Sequence, residues 1–344
     1  MASVVSSVEQ TFNSRETNYN LAENTNYPLE CKSEKTVFTE NFILQSIKAQ
    51  DFYWNSSNDA GELVICCDGH GSNIVIDKIR AINFDIFMKN LDFLKPEDII
   101  KEVQSITNTP DSLGKINQKS SGSTITVIII NDNKIKIAWL GDSQVLIFKQ
   151  DKLYMKTRSH NFLEDKEGIM GKRISHSYSC EVNSNGDMQQ LYKPYIIQNE
   201  YDICAITRAL GHGNISFNEP ESIIIDISKE KDIVNIQDLR GDISESNSST
   251  LFNNQSTLTK NYSHEWKVIV ASDGVWDVIG NSEQDLDFMM KSTAQNIGLE
   301  ASYRWSPEYI WKFYPDVHGG GDIFETSFKE NDRDDIVVST IEIN

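Results

Sequence analysis

Leu63-Val64-Ile65-Cys66-Cys67-Asp68-Gly69-His70-Gly71-Ser72 decides how this chain is read, because an apolar run stops on a carboxylate and then on two glycines flanking a histidine. An unbroken apolar run of this length reads as a buried strand that delivers Asp68 to its end. Glycine allows close approaches that other residues resist, so the peptide at Gly69-His70-Gly71 can curl around something small, such as a hydrated cation. A helix-like segment follows from Asn73 to Asn90. One Asp-Gly-His-Gly alone is equally an ordinary strand-to-helix turn, so the rest of the chain has to answer it.

It does so at four further places. Ser121-Gly122-Ser123-Thr124 opens a strand over Ile125–Ile130, Asn131-Asp132-Asn133 reverses it, and Lys134–Leu140 runs back to Gly141-Asp142-Ser143. Trp266–Ala271 repeats the opening theme and ends on Ser272-Asp273-Gly274, and a last strand over Ile336–Ile343 is entered through Asp332-Arg333-Asp334-Asp335. Upstream, residues 37–54 read as one strand carrying Gln50-Asp51 before a polar turn at 55–61, which puts Ser46, Lys48 and Gln50 on one face and Asp51 on the other. Four strand ends therefore present Asp68, Asp142, Asp273 and Asp334, with Asp51 a candidate fifth. Carboxylates gathered in one place repel unless a cation neutralises them, and an oxygen-only set selects hard ions such as Mg²⁺ or Mn²⁺.

The remaining segments fill in around these. Pro96 to Thr107 reads as a helix with Pro at its start and Glu97 and Asp98 in its first turn. Residues 151–200 read as irregular and polar with a helical patch at 164–174, 222–227 as a strand, and 282 onward and 307–313 as helices. Residues 1–35 read as a poorly ordered leader and 228–264 as a polar surface insertion, leaving 36–344 as one domain.

Composition narrows the function. Of 344 residues 39% are hydrophobic and 24% charged, a soluble globular balance, and no apolar run approaches the roughly 20 residues of a membrane helix. No signal sequence opens the chain, so an intracellular monomer, cytoplasmic or nuclear, is expected. With 51 acidic against 32 basic residues the net charge is -19, which repels polyanions and argues against nucleic acid as partner. The five cysteines show no zinc-ligand spacing, and six positions after Cys66 and Cys67 stand Ser72 and Asn73 rather than a phosphate-clamping arginine, which argues against a cysteine nucleophile.

The motifs Gln50-Asp51, Asp68-Gly69-His70-Gly71, Gly122-Ser123-Thr124, Gly141-Asp142-Ser143, Thr207-Arg208-Ala209-Leu210-Gly211, Ala271 to Asp277 and Asp334 to Val338, in this order, resemble those of the metal-dependent serine/threonine protein phosphatases of type 2C, the PPM family. The resemblance implies an α+β fold of four layers, α-β-β-α: a central antiparallel β-sandwich flanked by helices. It implies a binuclear Mg²⁺/Mn²⁺ centre in which Asp68 bridges the ions, the Gly69 carbonyl, Asp273 and Asp334 complete the inner ligands, Asp51 acts through water and Asp142 helps hold a third, weaker ion. It further implies hydrolysis of phosphoserine and phosphothreonine in signalling phosphoproteins by a metal-bridging water, with His70 as general acid.

The chain departs from the family in places. The phosphate-gripping arginine usual five residues before the Asp51 position is Ser46, and Lys48 is the candidate substitute for phosphate binding; the Thr207-Arg208-Ala209-Leu210-Gly211 motif ends on His212 instead of Asp; and the substrate-side flap between Asp151 and Tyr201 matches poorly. The alternative reading is a phosphatase-like binding module with weak or no turnover. A third is a metal-dependent hydrolase of a non-protein phosphate.

Overall fold

The computed structural model describes residues 4–5, 36–108, 121–166, 168, 173–197, 203–212, 219–228, 265–315 and 322–344. Two antiparallel sheets carry it. In the first, Glu221–Asp226, Lys134–Leu140, Ile125–Asn131, Gly61–Cys67 and Phe52–Asn58 lie side by side in that order. In the second, the order is Val37–Leu44, Ile336–Ile343, Trp266–Ala271, Val145–Lys149 and Lys152–Lys156, with Val4–Val5 paired outside Val37–Leu44.

Alternation along the strands makes the layers. Val64 and Cys66 of the first sheet pack with Val268, Val270 and Val337 of the second, forming the core between them. Their neighbours Leu63, Ile65 and Cys67 point outward and bury Val75 and Ile79 of helix Ile74–Arg80 and Ile100 and Val103 of helix Pro96–Thr107. On the other outer face Ile269, Ala271, Ile336 and Val338 meet Met289, Ile297 and Ala301 from helices Glu283–Lys291 and Ala294–Arg304. Each such Val, Leu, Ile or Met side chain contributes roughly 1.5–3 kcal/mol by leaving water. Helix, sheet, sheet, helix is the α+β sandwich expected from the sequence.

Local chemistry sets the boundaries. The two-residue turn Asp132-Asn133, with φ of 47° and 57°, closes the hairpin between Ile125–Asn131 and Lys134–Leu140. Ser282 and Thr293 cap their helices by accepting from the Asp285 and Asn296 amides.

Several expectations need correction. Residues 37–54 are not one strand: Val37–Leu44 ends, an irregular loop with Ala49 at φ 48° crosses the sandwich edge, and Phe52–Asn58 begins afresh. The amides of Ser46 and Gln50 donate to the buried carboxylate of Asp335 instead of to a ladder partner, so Ser46, Lys48 and Gln50 do not share a strand face. The helix expected over 73–90 is two, Ile74–Arg80 and Asp85–Met88, parted where the Asn83 side chain accepts the Asp85 amide. No helix forms at 164–174 among the described residues: Asn161 accepts the amides of Leu163 and Glu164 in an Asx turn, and a strand begins at Ile174. That strand, Ile174–Val182, and Met188–Ile197 make a long hairpin where irregular chain was expected. Residues 307–313 turn and then enter strand Trp311–Tyr314, which pairs with Met188–Ile197 and Phe324–Thr326, in keeping with the β-preference of Trp and Phe. Residues 229–264 of the polar insertion and 6–35 of the leader lie outside the described residues.

Candidate active site

Antiparallel pairing gathers the acidic strand ends at one edge of the sandwich. Cys67 stands opposite Phe52, Leu140 opposite Ile125 and Ala271 opposite Val338. The residues just beyond these ends are Asp51, Asp68, Asp142, Asp273 and Asp334, and each lies within electrostatic reach of others in the set. Burial, and then repulsion from Asp273 and neighbouring carboxylates, pushes Asp51 and Asp68 well above the ordinary carboxylate range; burial and then Asp334 and Asp142 push Asp273 up to about 7. Asp51 Oδ2 is buried without a hydrogen-bond partner. The turn beside them is so close that a Cβ on Gly69 would lie 2.6 Å from the Gln50 carbonyl oxygen. An oxygen-only donor set with a buried orphaned oxygen fits a hard divalent cation.

Side chains outside the acidic set hold it in place. The Asp68 amide donates to Thr124 Oγ1 at 3.0 Å, the Thr124 amide donates to the Asp68 carbonyl at 2.8 Å, and Thr124 Oγ1 shares a 2.6 Å hydrogen bond with Ser143 Oγ. Thr124 thus ties the Asp68 turn to the residue after Asp142. Gln50 Nε2 donates to the Gly71 carbonyl at 2.7 Å and to Asn73 Oδ1 at 2.9 Å, a brace for the His70 turn. Arg80 Nη2 donates to the carbonyls of Ala49 and Asp51, clamping the crossing loop. Neither Asp335 nor Arg80 was singled out from sequence, because both serve backbone groups that no spacing pattern reveals.

The Lys48 ammonium pairs with Asp334 at 2.9 Å, which holds it at the acidic edge even though the strand face expected to deliver it does not exist. His70 stacks on His212 with ring centroids 4.5 Å apart. Burial and the adjacent His212 push His70 down to about 3, so its imidazole is neutral, and an incoming phosphate dianion is the kind of charge that raises it. Asp142 is half-buried at the same edge. A cleft of about 850 Å³ lies elsewhere, between the hairpin tip at Ser184-Asn185 and helix Glu283–Lys291, and none of the five carboxylates lines it.

Behind this edge sits a buried ion network that the sequence pattern did not reveal. Asp165 accepts from Thr207 Oγ1 at 2.6 Å and from Arg208 Nε and Nη2 at 2.7 and 2.8 Å, while Arg208 and Arg158 both reach Glu221. Burial alone would raise Glu221, but the His160 ring 3.5 Å away and the Arg158 guanidinium outweigh it and bring the carboxyl down to about 2. A group held below its unfolded value of 4.5 contributes stability that is complete above that pH and is lost as pH falls toward 2. Glu221→Gln should therefore lower the unfolding free energy at pH 7 by on the order of 1–2 kcal/mol after discounting solvent screening, and have little effect at pH 2. Equal losses at both pH values in thermal unfolding would contradict this assignment.

The sequence model of the family Protein phosphatase 2C matches residues 30–297, so the chain belongs to the protein phosphatase 2C family. The matched residues stop short of Asp334 and the last strand, which the fold returns to the acidic edge. A probable protein phosphatase 2C 28 of Arabidopsis thaliana is 26% identical over 218 residues, covering 63% of this chain. The chain spans about half the length of that curated relative, 51%. The solved structure of the photosystem II phosphatase PBCP superposes with a TM-score of 0.51 at 11% identity, over 90% of this chain and 99% of that one, a likeness of fold alone. No helix among the described residues is long and apolar enough to cross a membrane.

Proposed function

We propose that this chain is a Mg²⁺/Mn²⁺-dependent phosphatase acting on phosphoserine and phosphothreonine in proteins. The observation that carries the reading is the meeting of five carboxylates from separate strands at one sandwich edge, beside His70. Asp68, Asp273, Asp334 and the Gly69 carbonyl would hold two ions, with Asp51 acting through water and Asp142 toward a third. Bound there, such ions activate an attacking water and neutralise charge on the phosphoryl oxygens. The chain's own residues do the rest: His70 stands next to Asp68 to pass a proton to the departing serine or threonine oxygen, Thr124 and Gln50 keep the turn that carries it rigid, and Lys48 adds a positive charge for the phosphate.

Turnover of a phosphothreonine peptide, a phosphotyrosine peptide and a sugar phosphate tests the substrate class. The first should be hydrolysed in preference to the others, and preference for the sugar phosphate would overturn it. Lys48→Ala should raise KM for the phosphothreonine peptide by roughly two- to fivefold, the modest value of an exposed charge pair, with kcat little changed; an unaltered KM in steady-state kinetics removes Lys48 from the phosphate site.

One observation favours the second reading, a docking module with feeble turnover. Ser46 stands where the family's phosphate-gripping arginine is usual, and its amide is spent on Asp335. A missing charge-assisted contact costs about 1.5–3 kcal/mol, which slows hydrolysis without removing the carboxylates. Retention of all five repelling acids, which a scaffold has no use for, favours the enzyme.

A further inference from the structure

Next to the acidic edge lies a donor set of different chemistry. An imidazole nitrogen from each of His70 and His212 and the Cys204 sulfur all lie within 4.8 Å of one another. The topology brings the histidines together: the turn Gly69–Gly71 pairs with Ser121–Ser123, whose other edge pairs with Leu210–Gly211, so His70 and His212 flank Gly122. A Cβ on Gly122 would lie 2.3 Å from His212 Nε2 and 2.8 Å from His70 Nε2, so both nitrogens converge over a position that only glycine can fill. His70 Nε2 is buried with no hydrogen-bond partner. Cys204 Sγ donates to the Ile206 carbonyl at 3.2 Å. His212 holds φ at 53°, a left-handed conformation uncommon for a residue with a side chain.

We propose that His70, Cys204 and His212 form a second metal site, selective for Zn²⁺ or a similar thiophilic ion, through which that ion silences the acidic centre by engaging His70. The inhibitory half rests on the phosphatase reading above; the binding half does not. Two imidazoles and a thiolate are the nitrogen and sulfur set that Zn²⁺ prefers, whereas the neighbouring carboxylates prefer Mg²⁺ or Mn²⁺. The chain would thus sort ions by softness at two adjoining sites. Binding replaces the Cys204 S–H bond with a sulfur–metal bond and releases one proton to solvent. Ligand bonds of about 2.0–2.3 Å require the stacked rings to fan apart and the donors to close by roughly 1 Å. Entry lies past His70, the one member not fully buried, with Cys204 and His212 buried behind it. Three protein donors leave a fourth position for water.

Co²⁺ tests the site as a coloured stand-in for Zn²⁺, added to the full-length protein with excess Mg²⁺ to occupy the acidic edge. The wild type should show a thiolate-to-cobalt charge-transfer band in the near ultraviolet that Zn²⁺ bleaches. Cys204→Ser should lose that band, and His212→Asn, which keeps a residue tolerant of positive φ, should weaken Co²⁺ affinity by more than the roughly 10–100-fold that an outer-shell change costs. Cys180→Ser, at an exposed thiol, should keep the band. A wild type without the band, or a band that survives in Cys204→Ser, overturns the site. In parallel, Zn²⁺ at fixed Mg²⁺ should suppress phosphothreonine-peptide hydrolysis in the wild type more than in His212→Asn. The expected spectrum with no hydrolysis under any metal would sink the phosphatase reading and leave the metal site standing. The spectrum together with hydrolysis indifferent to Zn²⁺ would overturn the inhibitory half.

Discussion

Asp273→Asn should stabilise the metal-free protein and destroy the metal-loaded one. In chelator at pH 8 the variant unfolds at a higher temperature than the wild type; with saturating Mg²⁺ the order reverses, and turnover falls by on the order of a thousandfold or more, the several kcal/mol that metal-ion stabilisation supplies. The first half follows from the crowd of buried carboxylates. Asp273 feels Asp334 and Asp142 and shares a hydrogen bond with Asp68, so its charge is costly. Two unit charges 4 Å apart repel by about 4 kcal/mol at an effective dielectric of 20; protonation relieves part of that, which leaves a gain of about 1–2 kcal/mol on removing one charge. The second half follows from linkage. An ion bound to the folded state at 100 times its Kd adds about 2.7 kcal/mol, and the variant forfeits this. Thermal unfolding with and without Mg²⁺ checks both halves, and an equal Mg²⁺-induced shift in wild type and variant would exclude Asp273 from the metal site.

Asp165→Ala should be the most damaging change away from that site, lowering unfolding free energy by roughly 3–5 kcal/mol, the cost of stranding one member of a buried ion pair. Asp165 is fully buried and accepts four hydrogen bonds, two of them from Arg208, itself only 3% exposed. Without the carboxylate the guanidinium keeps its Glu219 carbonyl and partly exposed Glu221 contacts and loses its fork. Arg208→Met in the same background should recover part of the loss, because the second substitution removes the uncompensated charge. Urea unfolding of the two variants decides it; a loss under about 1 kcal/mol for Asp165→Ala would show that solvent reaches the pair.

The difference between what the sequence disclosed and what it hid follows from the range of the interactions involved. Strands that bury both faces write themselves as apolar runs, and such a run must stop where a charge appears, so Leu63–Asp68 and Trp266–Asp273 declared their ends and the acids on them. The last strand, Ile336–Ile343, was legible for the same reason. The crossing loop at Gln45–Asp51 was not, since it owes its shape to Asp335, some 285 residues away in the chain. Trp311–Tyr314 was misread because a short aromatic segment after a proline has no period of its own and becomes a strand by pairing with Met188–Ile197. The Asp165–Arg208 network was invisible in the same way: its partners are 43 residues apart and lie on loops. His212 stood out as a departure from a family motif, but only the pairing of three short strands sets it against His70.

The most direct test of the account is hydrolysis of a phosphothreonine peptide by purified protein first stripped with chelator and then given back Mg²⁺ or Mn²⁺. The stripped protein should show no turnover and should recover it with either ion. Turnover that persists in chelator, or a protein that binds Mn²⁺ at the acidic edge yet stays inert with both ions, would contradict the phosphatase reading.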